Sequence, residues 1–528
     1  MNAARVKAQP VGTGFAPYVW APGVDEVAAR HGVPREAVLK FDQNTPPLPG
    51  VPQVPLAQSM GRLEAYPDGT YRELREAAAS YVGLSAENVV VGAGADDLIL
   101  LAAQTFLGSG ARAAIEPPTY ALYRIATTLH GAEVVGRLDD ADLHWVCNPN
   151  NPTGTWVEPE EIVELARSRV DAIVVVDEAY VEYGARSCAP WVDELENLVV
   201  LRTMSKAFGF AALRVGYALA HPATAGLLTE RRAPAPIAGP AAVIAAAALR
   251  DPRLSDVEAT IVERERLRGE LVAAGYTCEP TATNFVYVPT DEPLAERLEA
   301  QGIVVRSFPG AIRITVRRPS ENDVLLRALG AEPGLAPGRE ATVVRTTTET
   351  SIRLTLSLDG AGRTRVETGI GFLDHLLTLC AFHAGFDLDL LAGGDLTVDH
   401  HHTVEDVHAG LGAAVSQALG SREGVARYGS AVVPMDEARA TAAVDLVRRA
   451  HAEIDLAFGG ERVGELAVSL VCHALERFAI EAGCTVHVES AGVDDHHVAE
   501  AAYKALGQAL RQAVAAGAAG IRSTKGMA

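Results

Sequence analysis

Cysteine is scarce in this chain, and positive charge is in the minority. The 528 residues include 6 cysteines, none in C-x-x-C spacing, which argues against a disulfide framework or a zinc ribbon and favours a reducing compartment. The 46 basic residues face 67 acidic ones, for a formal net charge of −21. Because no global positive field exists to attract phosphates, nucleic acid and anionic membrane surfaces are not expected partners.

Long apolar runs are missing as well. The most apolar stretch, Ala241–Leu249, has nine residues, whereas a helix needs about 20 to cross a bilayer. The first 30 residues lack the basic segment and apolar stretch of a secretory signal. We therefore expect a cytoplasmic protein. The chain length and the 48% of hydrophobic residues predict more than one well-packed domain.

The distribution of histidine divides the chain into two parts. Four of the 15 histidines precede residue 330, and the other eleven lie between His375 and His497. Two Pro-Gly breaks fall within residues 331–340, a pattern typical of a linker. We therefore predict a first domain over 1–330, a linker over 331–340 and a second domain over 341–528.

The two parts have different strand patterns. Ile173–Asp177 and Leu198–Leu201 are apolar, β-branched runs typical of strands buried in a parallel sheet, and Glu160–Arg169 has helical spacing. This alternation predicts an α/β fold with a doubly wound, mostly parallel sheet that binds ligands at the carboxyl ends of its strands. In the second part, apolar and polar residues alternate over Ile352–Leu358 before a turn at Gly360–Gly362, which predicts an antiparallel strand and hairpin.

The second part contains an internal repeat. A pair of histidines followed by a glutamate occurs twice, 95 residues apart: His401, His402 and Glu405, then His496, His497 and Glu500. A further pair, Asp374-His375 and Cys472-His473, is offset by 98 residues. Such a duplication predicts an α+β domain made of two similar half-domains.

Four local patterns in the first part can carry chemistry. They are a glycine-rich turn between a strand and a helix, an amide-rich turn, an aspartate that ends a buried strand, and a Ser-Lys pair after another strand. In chain order these are Val90–Asp97, Asn148–Gly154, Asp177 with Tyr180, and Ser205-Lys206 with Arg214. Together and in this order, over about residues 15–330, they resemble the fold-type I aminotransferases, which use pyridoxal phosphate.

The resemblance implies a role for each residue. Lys206 forms the Schiff base with the coenzyme, and Asp177 pairs with the pyridine nitrogen so that the ring can accept electrons. Asn151 and Tyr180 bind the phenolic oxygen of the coenzyme, and Tyr120 stacks on its ring. The coenzyme phosphate is held by Ala95, Asp96, Ser205 and Arg214.

Within this family the first part is most similar to histidinol-phosphate aminotransferase. Arg313 matches the arginine that binds the substrate carboxylate. Arg306 matches a residue that binds the substrate phosphate, and so does Tyr66, which would come from the other subunit of a dimer. The arm around Tyr18 diverges from the family. Threonine-phosphate decarboxylase is built from the same motifs and stays an alternative.

The repeated histidines have the spacing of a metal site. Because helix positions i and i+4 share a face, the first histidine of each pair faces the same way as its glutamate. The second histidine points about 100° away and can reach a second ion. Two further histidines complete the set of eight candidate ligands: His375, His401, His402, Glu405, His473, His496, His497 and Glu500. This set suits Mn, Fe or Zn and exceeds one closed zinc site.

The second part resembles imidazoleglycerol-phosphate dehydratase over essentially all of residues 340–528. The matching motifs are Phe372–His375, Asp399–Asp406, Asp495–Glu500 and Ser523–Gly526. The resemblance implies two divalent ions per site, with manganese the expected metal, and Glu349 as an acid or base. It implies that the substrate phosphate is bound by Arg427, Arg449, Lys504, Ser523 and Lys525. Members of the family assemble as 24 subunits with metal sites between subunits.

The two resemblances imply consecutive steps of histidine biosynthesis. The dehydratase converts imidazole glycerol phosphate into imidazole acetol phosphate, a ketone that the aminotransferase converts with glutamate into histidinol phosphate. We therefore expect a bifunctional enzyme acting on phosphorylated imidazoles, assembled as a large homo-oligomer that can contain aminotransferase dimers. Alternatively, the second part could be a metal-binding scaffold without catalysis.

Overall fold

The computed structural model describes residues 17–46, 64–136, 140–252, 254–331 and 338–517. These residues fall into two compact units. The first unit lies within Met1–Ala21, Phe41–Glu296 and Val305–Arg318, and the second within Pro22–Lys40, Arg297–Val304 and Pro319–Ala528. Residues 332–337 of the predicted linker lie outside the described ranges, so the domain boundary stays a prediction.

Strands and helices alternate over much of the described part of the first 331 residues. The strands are β1 (Leu39–Phe41), β2 (Val89–Gly92), β3 (Arg112–Ala114), β4 (Glu133–Val135), β5 (Leu143–Cys147), β6 (Ile173–Asp177), β7 (Leu198–Thr203), β8 (Gly216–Ala220), β9 (Phe285–Pro289), β10 (Ile303–Phe308) and β11 (Ala311–Thr315). The helices are α1 (Val24–His31), α2 (Arg72–Val82), α3 (Gly94–Phe106), α4 (Ala121–Leu129), α5 (Pro159–Ser168), α6 (Pro222–Arg231), α7 (Gly239–Arg250), α8 (Ser255–Ala273), α9 (Leu294–Glu299) and α10 (Pro319–Ala328). The strands and the helix that the sequence predicts between residues 160 and 201 are therefore confirmed as β6, β7 and α5.

A seven-stranded sheet forms the centre of the first unit, in the order β2-β8-β7-β6-β5-β3-β4. β8 runs antiparallel to β2 and β7, and the remaining neighbours are parallel. The sheet is thus mixed and mostly parallel. Because β5, β6 and β7 are parallel neighbours, the residues that follow them meet at one edge of the sheet.

The turn from β2 into α3 depends on glycine. Gly94 has a φ of 84°, in the left-handed region that glycine adopts without steric cost. A Cβ on Gly216 of β8 would lie 2.8 Å from the backbone of Gly94. The two glycines therefore let the first turn of α3 approach the start of β8.

The duplicated region consists of two half-domains with the same order of elements, apart from two short additional strands in the second. The first half-domain contains β12 (Glu340–Thr346), β13 (Thr350–Ser357), β14 (Thr364–Glu367), α11 (Gly371–Ala384), β15 (Asp387–Gly394) and α12 (His401–Leu419). The second half-domain contains β16 (Tyr428–Met435), β17 (Ala438–Asp445), β18 (His451–Leu456), the short β19 (Arg462–Val463) and β20 (Leu466–Ala467), α13 (Val468–Ala482), β21 (Thr485–Ala491) and α14 (Asp495–Val514). Their sheets, β12-β13-β15-β14 and β16-β17-β21-β18, share one pairing scheme: two antiparallel contacts, then a parallel one.

The turn at Gly360–Gly362 does not form the predicted hairpin. β13 pairs antiparallel with β12 and β15, whereas β14, after the turn, pairs parallel with β15. The Asp387 carboxylate accepts hydrogen bonds from the backbone N–H groups of Ala361 (2.8 Å) and Arg363 (2.9 Å). The turn is therefore tied to the start of β15, and the predicted strand forms its hairpin with β12 instead.

One apolar core joins the two half-domains. α12 packs against α13, and α11 packs against α14. Nε2 of His408 on α12 lies 3.0 Å from the hydroxyl of Tyr503 on α14, and these two residues are themselves one repeat offset apart. In the described ranges, no helix has both the length and the apolarity to cross a bilayer.

Candidate active sites

A cavity of about 460 Å³ lies where β5, β6 and β7 end. Every coenzyme-binding residue predicted from the sequence lines it: Ala95, Asp96, Tyr120, Asn151, Asp177, Tyr180, Ser205 and Arg214. Lys206, Arg306 and Arg313 line the cavity as well. Tyr66 is not among the lining residues, and it is 93% exposed. The first unit thus brings the predicted set together, apart from the residue predicted to come from a partner.

Lys206 follows β7 and is half-buried in the cavity. Its Nζ donates a hydrogen bond to the carbonyl oxygen of Gln43 (3.2 Å) and lies 5.7 Å from the ring centre of Tyr180. Burial, together with the positive charge of Arg313, lowers the pKa of the amine to about 8. About one-tenth of the amine is therefore neutral at pH 7, and only the neutral amine is nucleophilic.

Asp177 is the last residue of β6 and is buried at the floor of the cavity. Its Oδ2 accepts a hydrogen bond from the Tyr123 hydroxyl (2.7 Å), and its Oδ1 accepts one from the backbone N–H of Ala179 (3.1 Å). Burial raises the pKa of the carboxyl to about 6, although these hydrogen bonds act in the opposite direction. The group is thus mostly an anion at neutral pH that is shielded from solvent and suited to a cationic partner.

One end of the cavity is built to bind an anion. The guanidinium of Arg214 lies beside the first turn of α3, where a Cβ on Gly94 would come within 2.7 Å of it. It now pairs with the carboxylate of Asp96 (3.0 Å) and donates to the Ser205 hydroxyl (3.4 Å). Arginine next to the free N–H groups of a helix start is a typical phosphate site, and the carboxylate at present takes that anionic role.

Two arginines face the other side of the cavity. Arg313 is buried, donates to Oδ1 of Asn151 and to the carbonyl oxygen of Asp42, and lies over the ring of Phe285 (5.1 Å). Arg306 lies over the ring of Tyr18 (5.5 Å). Two cations at one end of a cavity suit a doubly anionic substrate.

The second unit gathers six of the eight predicted metal ligands into two clusters. One cluster contains His375, His496 and Glu500, and the other contains His401, Glu405 and His473. Within each cluster, one donor atom from every residue lies within 4.8 Å of the others. Each cluster takes one histidine from one half-domain and the His-Glu pair from the other, so the two half-domains exchange ligands.

The two clusters differ in burial and in the cation beside the glutamate. Glu500 is contacted by Nε2 of His375 (2.7 Å) and of His496 (2.9 Å), and by Nζ of Lys504 (2.6 Å). The corresponding contacts of Glu405 are longer, 3.4 Å to His401, 3.3 Å to His473 and 3.3 Å to Nε of Arg477. The Glu500 side chain is 8% exposed, against 33% for Glu405.

His402 and His497 belong to neither cluster. Nδ1 of His402 lies 3.0 Å from Oδ2 of Asp395, and its Nε2 lies 3.7 Å from Glu349. Nδ1 of His497 lies 2.9 Å from Oε2 of Glu437. Each second histidine therefore faces away from the ions that its own chain could hold, as the helical spacing predicts.

Among the described residues, the predicted phosphate-binding side chains of Arg427 and Lys504 lie far apart within one chain. Arg427 pairs with Asp445 (2.7 Å) next to the first residue of β16, and Nζ of Lys504 lies 3.1 Å from Sδ of Met435, the last residue of that strand. An eight-residue strand separates its ends by about 23 Å, too far for one phosphate. Arg449 is exposed. Ser523 and Lys525 lie outside the described residues.

Several residues of these sites escape sequence reasoning. One is Tyr123 on α4, whose hydroxyl donates to Asp177. It lies three residues after Tyr120, the residue that precedes α4, and that helical spacing could have found it. Asp395 and Glu437 reach the histidines through tertiary packing, and no periodicity marks them. Arg477 lies four residues after His473 on the same helix, and that spacing could have found it.

Two family models match the chain. The model of imidazoleglycerol-phosphate dehydratase matches residues 368–510, which include all eight predicted metal ligands. The model of class I and II aminotransferases matches residues 29–329, which include Lys206 and Asp177. Each match therefore covers one of the two candidate sites.

Individual relatives agree with these matches. The imidazoleglycerol-phosphate dehydratase of Granulibacter bethesdensis is 51% identical over 177 residues, covering 33% of this chain and 90% of the relative. The enzyme of that name from Phytophthora nicotianae is 43% identical over 267 residues, covering 48% of this chain and only 57% of the relative. The solved structure of histidinol-phosphate aminotransferase from Sinorhizobium meliloti, in complex with pyridoxal phosphate, is similar with a TM-score of 0.54 and 26% identity, covering 60% of this chain and 96% of that one.

Proposed function

Because the chain belongs to the imidazoleglycerol-phosphate dehydratase family through its duplicated region and to the class I and II aminotransferases through residues 29–329, we propose that it is a bifunctional enzyme of histidine biosynthesis. The second part would dehydrate imidazole glycerol phosphate to imidazole acetol phosphate. The first part would transfer an amino group from glutamate to that ketone, giving histidinol phosphate. One observation carries the proposal: a single chain holds a lysine-bearing cavity and two clusters of two histidines and a glutamate.

Pyridoxal phosphate suits the donors that line the cavity. Lys206 would hold it covalently, and the buried carboxylate of Asp177 would pair with its ring nitrogen. Asn151 and Tyr180 would bind its phenolic oxygen. Arg214 and the N–H groups at the start of α3 would hold its phosphate in the place that the Asp96 carboxylate now takes. When bound, the coenzyme supplies an electron sink.

Residues of the chain would carry out the rest of the transamination. The amine of Lys206, with its pKa lowered to about 8, would take and return the proton at the reacting carbon of the substrate. The Arg313 fork would bind the substrate carboxylate, and Arg306 would bind the substrate phosphate. The hydrogen bond from Tyr123 would keep the Asp177 carboxylate ionised and fixed in orientation.

Divalent ions suit the donors of the second unit. Two imidazoles and a carboxylate in each cluster match the preferences of manganese, iron and zinc, and we propose two manganese ions per dehydratase site. Bound ions supply Lewis acidity and hold the substrate in place. The ligands would be His375, His401, His402, Glu405, His473, His496, His497 and Glu500. Glu349, in the turn between β12 and β13, would accept or donate the proton at its carboxylate.

We also propose that the chain forms a large homo-oligomer of 24 dehydratase subunits. His402 and His497 face away from both clusters of their own chain, and Arg427 and Lys504 are held at opposite ends of β16. Complete sites would therefore need neighbouring copies. A dimer of the aminotransferase part would bring Tyr66 of the partner subunit to the cavity. The cytoplasmic location stays a prediction.

The test is to assay both reactions on the full chain. Given imidazole glycerol phosphate, glutamate, pyridoxal phosphate and Mn²⁺, the chain should accumulate histidinol phosphate without another enzyme. Release of carbon dioxide from threonine phosphate, without transamination, would assign the first part to the decarboxylase alternative. Bound metal without any dehydration would assign the second part to a scaffold.

A further inference from the structure

The two predicted ligands that lie outside the clusters, His402 and His497, are each held by a carboxylate at the same ring nitrogen. Nδ1 of His402 lies 3.0 Å and 3.3 Å from the two carboxylate oxygens of Asp395. Nδ1 of His497 lies 2.9 Å from Oε2 of Glu437. A carboxylate only accepts hydrogen bonds, so in the neutral ring Nδ1 carries the hydrogen and Nε2 keeps its lone pair.

The two carboxylates are not copies of each other. Asp395 precedes His402 by seven residues, and the residue that precedes His497 by seven is Ser490, whose hydroxyl donates to the carbonyl oxygen of Val498 (2.9 Å). Glu437 comes instead from the turn between β16 and β17. The second half-domain therefore makes the same contact to the ring from a different position in the sequence.

We propose that Asp395 and Glu437 are positioning residues that hold His402 and His497 in the Nδ1–H tautomer, so that Nε2 of each faces outward as a metal ligand. This inference rests on the proposed dehydratase function. Ligating histidines usually have such a partner, and losing it weakens metal binding by about 10- to 100-fold.

The surroundings of the two carboxylates predict unequal effects of amide substitution. Oε1 of Glu437 accepts hydrogen bonds from the backbone N–H groups of Asp494 (2.8 Å) and Val493 (3.3 Å). In Glu437→Gln the amide oxygen would keep accepting from these two N–H groups, so the amide NH₂ group would face His497. Because the NH₂ group donates, Nδ1 of His497 would have to carry no hydrogen. In Asp395→Asn the side chain can turn its oxygen toward His402, because both oxygens already lie near the same Nδ1.

The tautomers can be read by ¹⁵N NMR of the metal-free, full-length chain with labelled histidine at pH 8. We expect Nδ1–H signals for His402 and His497 in the wild type, a switch of His497 to the Nε2–H form in Glu437→Gln, and no switch of His402 in Asp395→Asn. Mn²⁺ titration should then show binding weakened about 10- to 100-fold in Glu437→Gln and much less in Asp395→Asn. Matched controls are Glu453→Gln and Asp455→Asn, on the exposed strand β18.

Two results would overturn the inference. One is an Nε2–H signal for His402 or His497 in the wild-type chain, which needs no variant to fold. The other is unchanged Mn²⁺ affinity in a Glu437→Gln chain whose circular dichroism and oligomeric state match the wild type. Failure of the proposed function is distinguishable, because it would appear as absent dehydration in a wild-type chain that has the expected tautomers and binds Mn²⁺.

Discussion

The cavity of the first unit and the clusters of the second unit differ in how much of a site one chain supplies. The cavity buries Asp177 and half-buries Lys206, and its cationic and anionic groups already face one another. The clusters gather three candidate ligands each, and His375 and His496 remain 44% and 46% exposed. His402 and His497 lie outside both clusters.

This difference indicates what organises each kind of site. In the cavity, removal of water shifts the pKa values of the amine and the carboxyl toward neutrality, which reactivity at neutral pH requires. In the clusters, short contacts between imidazoles and carboxylates set the geometry, and ions with neighbouring copies would supply what is missing. The first site depends on burial within one chain, whereas the second would depend on bound ions and on neighbouring copies of the chain.

The largest expected effect separates the two sites by removing the amine. Lys206→Ala should lower transamination by about 10⁴-fold or more, because the variant lacks both the nucleophile and the base. Absorbance of the lysine-bound coenzyme should disappear. Dehydration should be unchanged, and His401→Ala should give the reverse pattern. Residual transamination near the wild-type rate would contradict the assignment of Lys206.

The next effect comes from metal removal. Dialysis against a chelator should abolish dehydration and leave transamination intact, because only the second site depends on added ions. Adding back Mn²⁺ should restore dehydration, and native mass spectrometry before and after would report whether the oligomer depends on metal. A parallel loss of both activities would break the contrast between the two sites.

Local sequence patterns predicted which strand ends line the cavity, but not the side-chain contacts within it. The strand ends at Asp177 and Ser205-Lys206 could be located because buried parallel strands have a distinct composition, and their meeting at one edge follows from parallel pairing. Tyr123 and the pairing of Arg214 with Asp96 depend on side-chain packing across elements. Short motifs carry no information on such contacts.

The repeat predicted a group of histidines and glutamates as candidate ligands, but not how they divide between the two clusters. Helical spacing joins each His-Glu pair, whereas the exchange of His375 and His473 between half-domains follows from the packing of α11 on α14 and of α12 on α13. The predicted hairpin at Gly360–Gly362 was wrong for a related reason. The backbone N–H groups of this turn donate hydrogen bonds to the side chain of Asp387 on β15.

A smaller effect tests burial in the cavity. Raising the pKa of Asp177 from 3.8 to about 6 means that the native state binds a proton more tightly than the unfolded chain, so stability falls as pH rises from 3.8 to about 6 and stays lower above. At pH 7 the ionised carboxylate costs the coenzyme-free protein about 3 kcal/mol. Asp177→Asn should recover part of this in denaturant unfolding while weakening coenzyme binding.

The exposed Asp171→Asn variant is the control for this carboxyl-to-amide change. It should leave both the unfolding free energy and coenzyme binding unchanged. If Asp177→Asn were also neutral at pH 7, or if its gain persisted undiminished at pH 4, burial of the carboxylate would not be the cause.

The smallest effect compares the two clusters with each other. Lys504 pairs with the glutamate that is 8% exposed, and Arg477 with the one that is 33% exposed. In metal-free protein at pH 8, Lys504→Met should lower the unfolding free energy by about 2 kcal/mol, because it leaves a buried carboxylate without its cation. Arg477→Met should cost less than about 1 kcal/mol, since water screens Glu405. Saturating Mn²⁺ should reduce both losses of unfolding free energy, because the ion replaces the missing positive charge. Equal losses in the metal-free protein would mean that burial does not distinguish the clusters.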